Sequence, residues 1–256
     1  LTFPNGSTLR LAPTLNAGTV GLYYLFSQLQ NPDAWNQTIS STGFMDLYET
    51  MFGSPYERAN KVEPLLSSGL EQPSLILPFM MGQRWAYTGG PHGAWEKQGS
   101  QAAVDFAPTS IESGCVDSNH WVVASAPGVV VRSGHGVVVI DLDGDGLEQT
   151  GWNLLYLHVT DNGLTPVGTW VEKGDFLGHP SCEGGVATGT HVHIARKYNG
   201  EWIAADGPIP YVMSGWVAHD GAEPYLGTLT RGDEIVNANV YGSAEALIMR
   251  SDEDPE

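Results

Sequence analysis

Five short runs of apolar, largely β-branched residues limit what this chain can fold into. They are Trp121-Val-Val-Ala, Gly128-Val-Val-Val-Arg, Gly136-Val-Val-Val-Ile-Asp, Leu154-Leu-Tyr-Leu-His-Val and Gly189-Thr-His-Val-His-Ile-Ala, separated by Gly, Pro and Asp turns. Branched side chains are stiff at χ1 and pack well on a pleated surface, so regularly spaced runs with little between them predict strands. With 32 Gly and 16 Pro available for turns, the expected fold is mainly β, an antiparallel sheet forming a groove or sandwich. A hydrophobic share of 41% is enough to give it a core.

Composition divides the chain into three zones. Residues 1–72 carry helical patterning: Phe44, Leu47, Tyr48 and Met51 recur at helical spacing and predict one apolar face. A small helical N-terminal segment, lid-like or prodomain-like, is expected there, punctuated at Asn31-Pro-Asp and Gly53-Ser-Pro. Residues 73–215 hold the strand runs and form the main domain. Residues 216–256 read as two further strands joined by Arg231-Gly-Asp233, a C-terminal hairpin extension, and then an acidic tail, Ser251–Glu256, expected to be disordered.

Charge and cysteine content narrow the function classes. Against 29 Asp and Glu stand 11 Lys and Arg, a net charge of −18. Phosphates would be repelled, so no nucleic-acid partner is expected. No apolar run approaches the ~18 residues of a membrane helix, so no membrane span is expected. The chain starts at Leu1 without a charged, apolar leader and reads as a processed form whose export signal has been removed. Its two cysteines, Cys115 and Cys182, are expected to form one bridge in an oxidising compartment, which places the chain outside the cell or on its surface. A monomer is expected.

Four segments carry the chemistry. In Thr190-His-Val-His-Ile194, strand alternation puts His191 and His193 on one face and Val192 and Ile194 toward the core. In Ala102-Ala-Val-Asp-Phe-Ala107, Val104 and Phe106 take the core face, leaving Asp105 on the other in need of a cation or hydrogen-bond donors. Thr88-Gly-Gly-Pro-His92-Gly is a Gly/Pro-framed loop presenting one His. Tyr156-Leu-His158 is again read as an alternating strand, with Leu157 inward and His158 on the face of Tyr156. Two His and one carboxylate make a familiar catalytic zinc set that leaves a fourth position for water. Further imidazoles can take up and return protons. Spacing alone does not divide these roles among the four His.

With these segments in order, the sequence resembles the lysostaphin- and staphylolysin-type zinc endopeptidases that cut peptide bridges in bacterial cell walls. The resemblance rests on Gly89-Gly-Pro-His92, then Asp105 after twelve intervening residues, Tyr156-Leu-His158 and Gly189-Thr-His191-Val-His193. Connecting text fits as well, in Ala126-Pro-Gly-Val-Val-Val and Val171-Glu-Lys-Gly-Asp-Phe-Leu-Gly178. It covers roughly residues 73–212. The resemblance implies an antiparallel β groove with zinc at its floor, held by His92, Asp105 and His193, with His158 and His191 as the catalytic pair. It also implies a peptide hydrolase whose partners are peptidoglycan peptides. Some relatives have lost ligands and serve as binding or regulatory modules; all five positions are filled here, which favours an enzyme, with a broader secreted protease cutting Gly-rich peptides as a further alternative.

Two features depart from the family pattern, both near the expected groove wall. Cys182 occupies the loop leading to His191. The hairpin Asp141–Trp152 opens like a calcium loop, with Asp141, Asp143, Asp145 and Gly146 in the right phase. Its twelfth position is Trp152 in place of Glu, so Ca2+ competes with a plain Asp-Gly turn, with Glu148 as a substitute ligand in another geometry. Trp85, Trp95, Trp170, Trp202 and Tyr198 are candidates for the groove or the core. His120, His135, His179 and His219 have no motif around them.

Overall fold

A computed structural model describes residue 66 and residues 69–95, 99–109 and 112–255. The helical face expected at Phe44–Met51 lies outside the described residues, and the last described residues of that zone carry no helix. The compact unit containing every described residue begins at Glu63.

The strands are β1 (Arg84–Gly93), β2 (Gln101–Pro108), β3 (Val122–Val123), β4 (Gly128–Gly134), β5 (Val137–Asp141), β6 (Trp152–Leu157), β7 (Trp170–Val171), β8 (Phe176–Gly178), β9 (Val192–Tyr198), β10 (Glu201–Trp202), β11 (Val212–Met213), β12 (Trp216–Asp220), β13 (Gly227–Arg231), β14 (Glu234–Asn237) and β15 (Leu247–Met249). The large sheet runs β15-β1-β2-β9-β6-β5-β4-β7, with β10 paired to β9. All of its pairings are antiparallel. A second sheet has the order β11-β12-β13-β14, and β3 pairs with β8. The described residues are thus almost entirely β, as the strand runs imply.

The large sheet has two unlike faces. Val104 and Phe106 of β2, Tyr156 of β6 and Val192 and Ile194 of β9 point into the main core with Phe79, Trp85 and Tyr87. The alternate positions Ala103, Leu155 and Ala195 face the other way, with Val137 and Val139. That second face is covered as well: Ala103, Leu155 and Ala195 are fully buried, with Val131 and Trp202 packed against their cluster. Asp105 and His193 stand on this face at one end of the same strands, opposite each other in the β2–β9 register.

Arg196 of β9 turns to the core face and is fully buried. Its guanidinium donates to the carbonyls of Pro210, Ala204 and Ile209 and to the Gln72 side chain, and it lies over the Tyr211 ring. Burial holds its pKa down at about 10, with the nearby Tyr211 opposing. A buried cation needs hydrogen-bond partners; the Nε of this one has none, but its two terminal nitrogens tie the segment around 204–210 to the sheet.

The expected C-terminal hairpin is present as β13 and β14, closed through Gly232 at φ 57. The acidic tail is ordered instead of disordered. Asp254 is buried, accepts from the Ser251 backbone N–H and hydroxyl, and pairs with Arg231. Local acidity pointed to repulsion; the structure supplies a cation from β13 that the tail sequence does not contain. Cys115 and Cys182 form a disulfide, with Cα atoms 5.8 Å apart.

Candidate metal centre

The centre begins with a glycine. Gly89 pairs with Asp105 across β1 and β2, and a Cβ at Gly89 would stand 2.4 Å from Asp105 Oδ2. Only a bare backbone leaves room for the carboxylate to fold inward there. The β1 register shifts between Tyr87 and Gly89 and again before His92, and such bulges re-aim side chains at strand ends. His92 is therefore at the end of a bulged strand, where the sequence reading expected a loop.

Three ligand atoms converge. His92 Nε2 is 3.3 Å and His193 Nδ1 is 3.2 Å from Asp105 Oδ1, and the two nitrogens are 2.9 Å apart. All three side chains are buried. Backbone carbonyls fix the outer nitrogens: His92 Nδ1 is 2.8 Å from Gly90 O, and His193 Nε2 is 2.9 Å from Ala94 O. A carbonyl can only accept, so each outer nitrogen donates and the inner nitrogen of each ring is aimed at the Asp105 carboxylate. Asp105 Oδ1 is buried and accepts no hydrogen bond. Two imidazole nitrogens and a buried carboxylate oxygen thus face one point, an arrangement that needs positive charge.

The titration shifts agree. Burial alone would lower His92, yet the neighbouring Asp105 charge and the Gly90 carbonyl raise it. Burial would raise Asp105, yet His92, His191 and His193 hold it well below the usual carboxylate range. Ligand atoms of a tetrahedral ion with bonds of ~2.0–2.2 Å stand roughly 3.3 Å apart, so the observed triangle fits a small divalent ion such as zinc.

His191 and His158 border this triangle. His191 Nε2 is 3.8 Å from Asp105 Oδ2, and its Nδ1 is held 2.8 Å from Gly189 O. His158 Nδ1 is 2.8 Å from Glu183 O, leaving Nε2 free. The two ring centres are 4.5 Å apart, and that of His158 lies 6.3 Å from that of His193. Burial and the neighbouring His191 push the His158 pKa down to about 4, so the ring is neutral at pH 7.

The alternation read for Tyr156-Leu-His158 fails. Tyr156 is in the main core, where its hydroxyl accepts from Ser125 N–H at 2.7 Å, whereas Leu157 lies on the second face opposite His193. His158 follows the strand at φ 65. This left-handed residue breaks the period and brings the ring beside the His92–Asp105–His193 triangle. Such a conformation costs on the order of 1–3 kcal/mol and concentrates at functional sites.

The sequence reading also missed Tyr225. It stacks on His92 with ring centres 4.0 Å apart, and its backbone joins β1 through Gly90 N–H to Tyr225 O at 2.8 Å. No local motif marks it, because it comes from beyond β12. Of the candidate groove aromatics, Trp85 is core, whereas Trp95 and Trp170 are half exposed.

The hairpin carboxylates Asp141, Asp143 and Asp145 do cluster. Their oxygens accept from the hairpin's own backbone at Asp143, Gly146, Asp145 and Leu147. Glu148 turns away to Arg132 and Lys197, at 2.8 and 2.7 Å. The arrangement is a self-bonded turn, and calcium is not supported. His120, His135, His179 and His219 stand outside both clusters, His135 at φ 55 in the β4–β5 turn.

No family model matches the chain. Among curated proteins it is similar to Protease LasA of Pseudomonas aeruginosa strain PAO1, 26% identical over 208 residues covering 75% of this chain and 47% of the relative. The same protein from strain UCBPP-PA14 is 25% identical over 210 residues. The chain spans about half the length of these relatives. Among solved structures, the M23 metalloprotease pseudoalterin from the deep sea aligns at TM-score 0.54 with 24% identity, covering 64% of this chain and 95% of that one. Among the described residues no helix is long and apolar enough to cross a membrane. Sequence likeness to Protease LasA and fold likeness to the M23 metalloprotease pseudoalterin both support a metallopeptidase.

Proposed function

We propose that the chain is a zinc-dependent endopeptidase that hydrolyses peptide bonds of bacterial cell-wall peptidoglycan, in cross-bridges or stem peptides. The observation that carries the reading is the triangle of His92 Nε2, Asp105 Oδ1 and His193 Nδ1, three buried ligand atoms within 2.9–3.3 Å of one another. These residues would hold the ion, which when bound supplies a Lewis acid and an activated water.

The remaining steps belong to the chain. His191, with Nδ1 tied to a carbonyl, offers Nε2 as a proton acceptor beside Asp105. His158, kept neutral by burial with Nδ1 on Glu183 O, presents a second Nε2 lone pair. The ring that takes the proton of the attacking water becomes an imidazolium whose Nε2–H then faces the charge on the substrate oxygen and returns that proton to the leaving amine. We assign this chemistry to residues 73–215 and place the protein outside the cell, where its disulfide persists.

Mass spectrometry of fragments released from purified peptidoglycan tests the proposal. New peptide termini should appear with zinc-loaded protein and vanish after chelation. Cleavage of a free Gly-Gly peptide but not of peptidoglycan would replace the substrate by Gly-rich proteins. No cleavage with zinc bound would replace the enzyme by a wall-binding module.

A further inference from the structure

The metal ligands sit on strands, but the two flanking His are oriented by loops, and those loops carry the disulfide. His158 Nδ1 donates to Glu183 O, the residue after Cys182. Ser181, the residue before it, donates its N–H to His158 O at 2.7 Å, and its own carbonyl accepts from His191 N–H at 3.3 Å. Cys182 therefore sits between the groups that fix the ring and the backbone of His158.

Cys115 has the corresponding place beside His191. Thr190 N–H donates to Gly114 O at 3.0 Å, Val116 N–H donates to Thr190 Oγ1 at 2.9 Å, and that hydroxyl donates to Val116 O at 2.6 Å. Thr190 lies between Gly189, whose carbonyl orients the His191 ring, and His191 itself. The residues flanking Cys115 thus clamp the chain immediately before His191. Both segments are irregular, and Cys115 is exposed.

The loops have no slack where they meet the site. A Cβ at Gly184 would stand 2.7 Å from His135 O, one at Gly136 2.4 Å from Gly184 N, and one at Gly185 3.3 Å from His158 Cε1. A shift of the 181–185 segment is therefore passed to the His158 ring. His92, Asp105 and His193 are held from β1, β2 and β9 and from Gly90 O and Ala94 O, none of which the bridge touches.

We propose that the Cys115–Cys182 disulfide is a positioning element for His158 and His191, setting turnover without contributing to metal binding. This rests on the catalytic reading above. Misplacement of a catalytic group by ~1 Å can cost about 10²-fold, and a loosened loop pair permits shifts of that size.

The test compares zinc-loaded wild type, the same protein treated with a phosphine reductant, the reduced sample reoxidised, and the double variant Cys115→Ser/Cys182→Ser. Metal content, kcat and KM are measured on a peptidoglycan-derived peptide. Opening the bridge should lower kcat by about 10–10²-fold with KM within about twofold and one zinc per chain retained. Reoxidation should restore wild type and leave the variant low. Unchanged kcat, or zinc lost in step with activity, overturns the proposal. Should the variant fail to fold, amide exchange on reduced, zinc-loaded wild type decides. Faster exchange confined to 112–118, 158–161 and 181–191, with β1, β2 and the rest of β9 unchanged, supports the proposal; uniform acceleration refutes it. If oxidised, zinc-loaded wild type cleaves no peptide, the functional reading falls, and the exchange measurement still judges the positioning.

Discussion

Adding a single methyl at Gly89 tests the geometry of the centre most economically. In Gly89→Ala the new Cβ would stand 2.4 Å from Asp105 Oδ2 and 2.9 Å from Cγ, where ordinary contact begins at 3.4 Å. The carboxylate must retreat by roughly 1 Å, against the ~0.2 Å tolerance of metal–ligand distances. It cannot turn the other way, since His92 and His193 stand on its Oδ1 side. Overpacking costs about 1–3 kcal/mol of stability, while disturbing a ligand's support weakens metal binding by about 10–100-fold. Gly189→Ala is the matched control, because its Cβ meets Gly114 O at 3.5 Å, an ordinary contact. Zinc affinity is read by competition with a chromophoric chelator, alongside a thermal melt. Gly89→Ala should lose affinity and Gly189→Ala should keep it. A Gly89→Ala protein that is folded and binds zinc within about twofold of wild type would show that Asp105 is not a ligand in this orientation.

Four further outcomes follow from the same geometry. His193→Ala should lose zinc and peptide hydrolysis together, as metal analysis and a cleavage assay would show. His158→Ala should keep its zinc while kcat falls by about 10²–10⁴-fold, the range for an acid–base group; loss of zinc in that variant would make His158 a ligand. In metal-free protein His158 binds its proton near pH 4 when folded but near ~6.5 when unfolded. Its contribution is therefore present above pH ~6.5 and lost as pH falls toward 4, so urea melts over that range should show a steeper acid loss in wild type than in His158→Gln. Arg196→Met strips donors from several buried carbonyls at about 1–3 kcal/mol each. With relief of the buried charge offsetting part of this, urea melts should show a loss of about 2–4 kcal/mol.

The strands and the facing of the candidate ligand residues were legible because they follow local rules. Val192 and Ile194 alternate with His193 at strand period, and Val104 and Phe106 alternate with Asp105, so the residues between the core positions had to face elsewhere. The same rule failed at His158, because a single residue at φ 65 resets the alternation and nothing in Tyr-Leu-His-Val encodes it. Tyr225 and the Asp254–Arg231 pair were invisible for another reason: each depends on a partner far along the chain. Gly89 was visible only as half of a Gly-Gly pair; its purpose appears once β1 is laid against β2. Likewise the hairpin at Asp141–Asp145 has the spacing of a calcium loop, but its carboxylates are taken by its own amides, which composition cannot reveal.

The central claim is that His92, Asp105 and His193 hold one catalytic zinc while His158 and His191 stand beside it unligated. Anomalous diffraction at the zinc edge from crystals of the zinc-loaded protein tests it directly. One peak per chain is expected, within ~2.0–2.2 Å of His92 Nε2, Asp105 Oδ1 and His193 Nδ1, with neither His158 nor His191 in the coordination sphere. A peak elsewhere, or a fourth protein ligand closing the position reserved for water, would contradict the account.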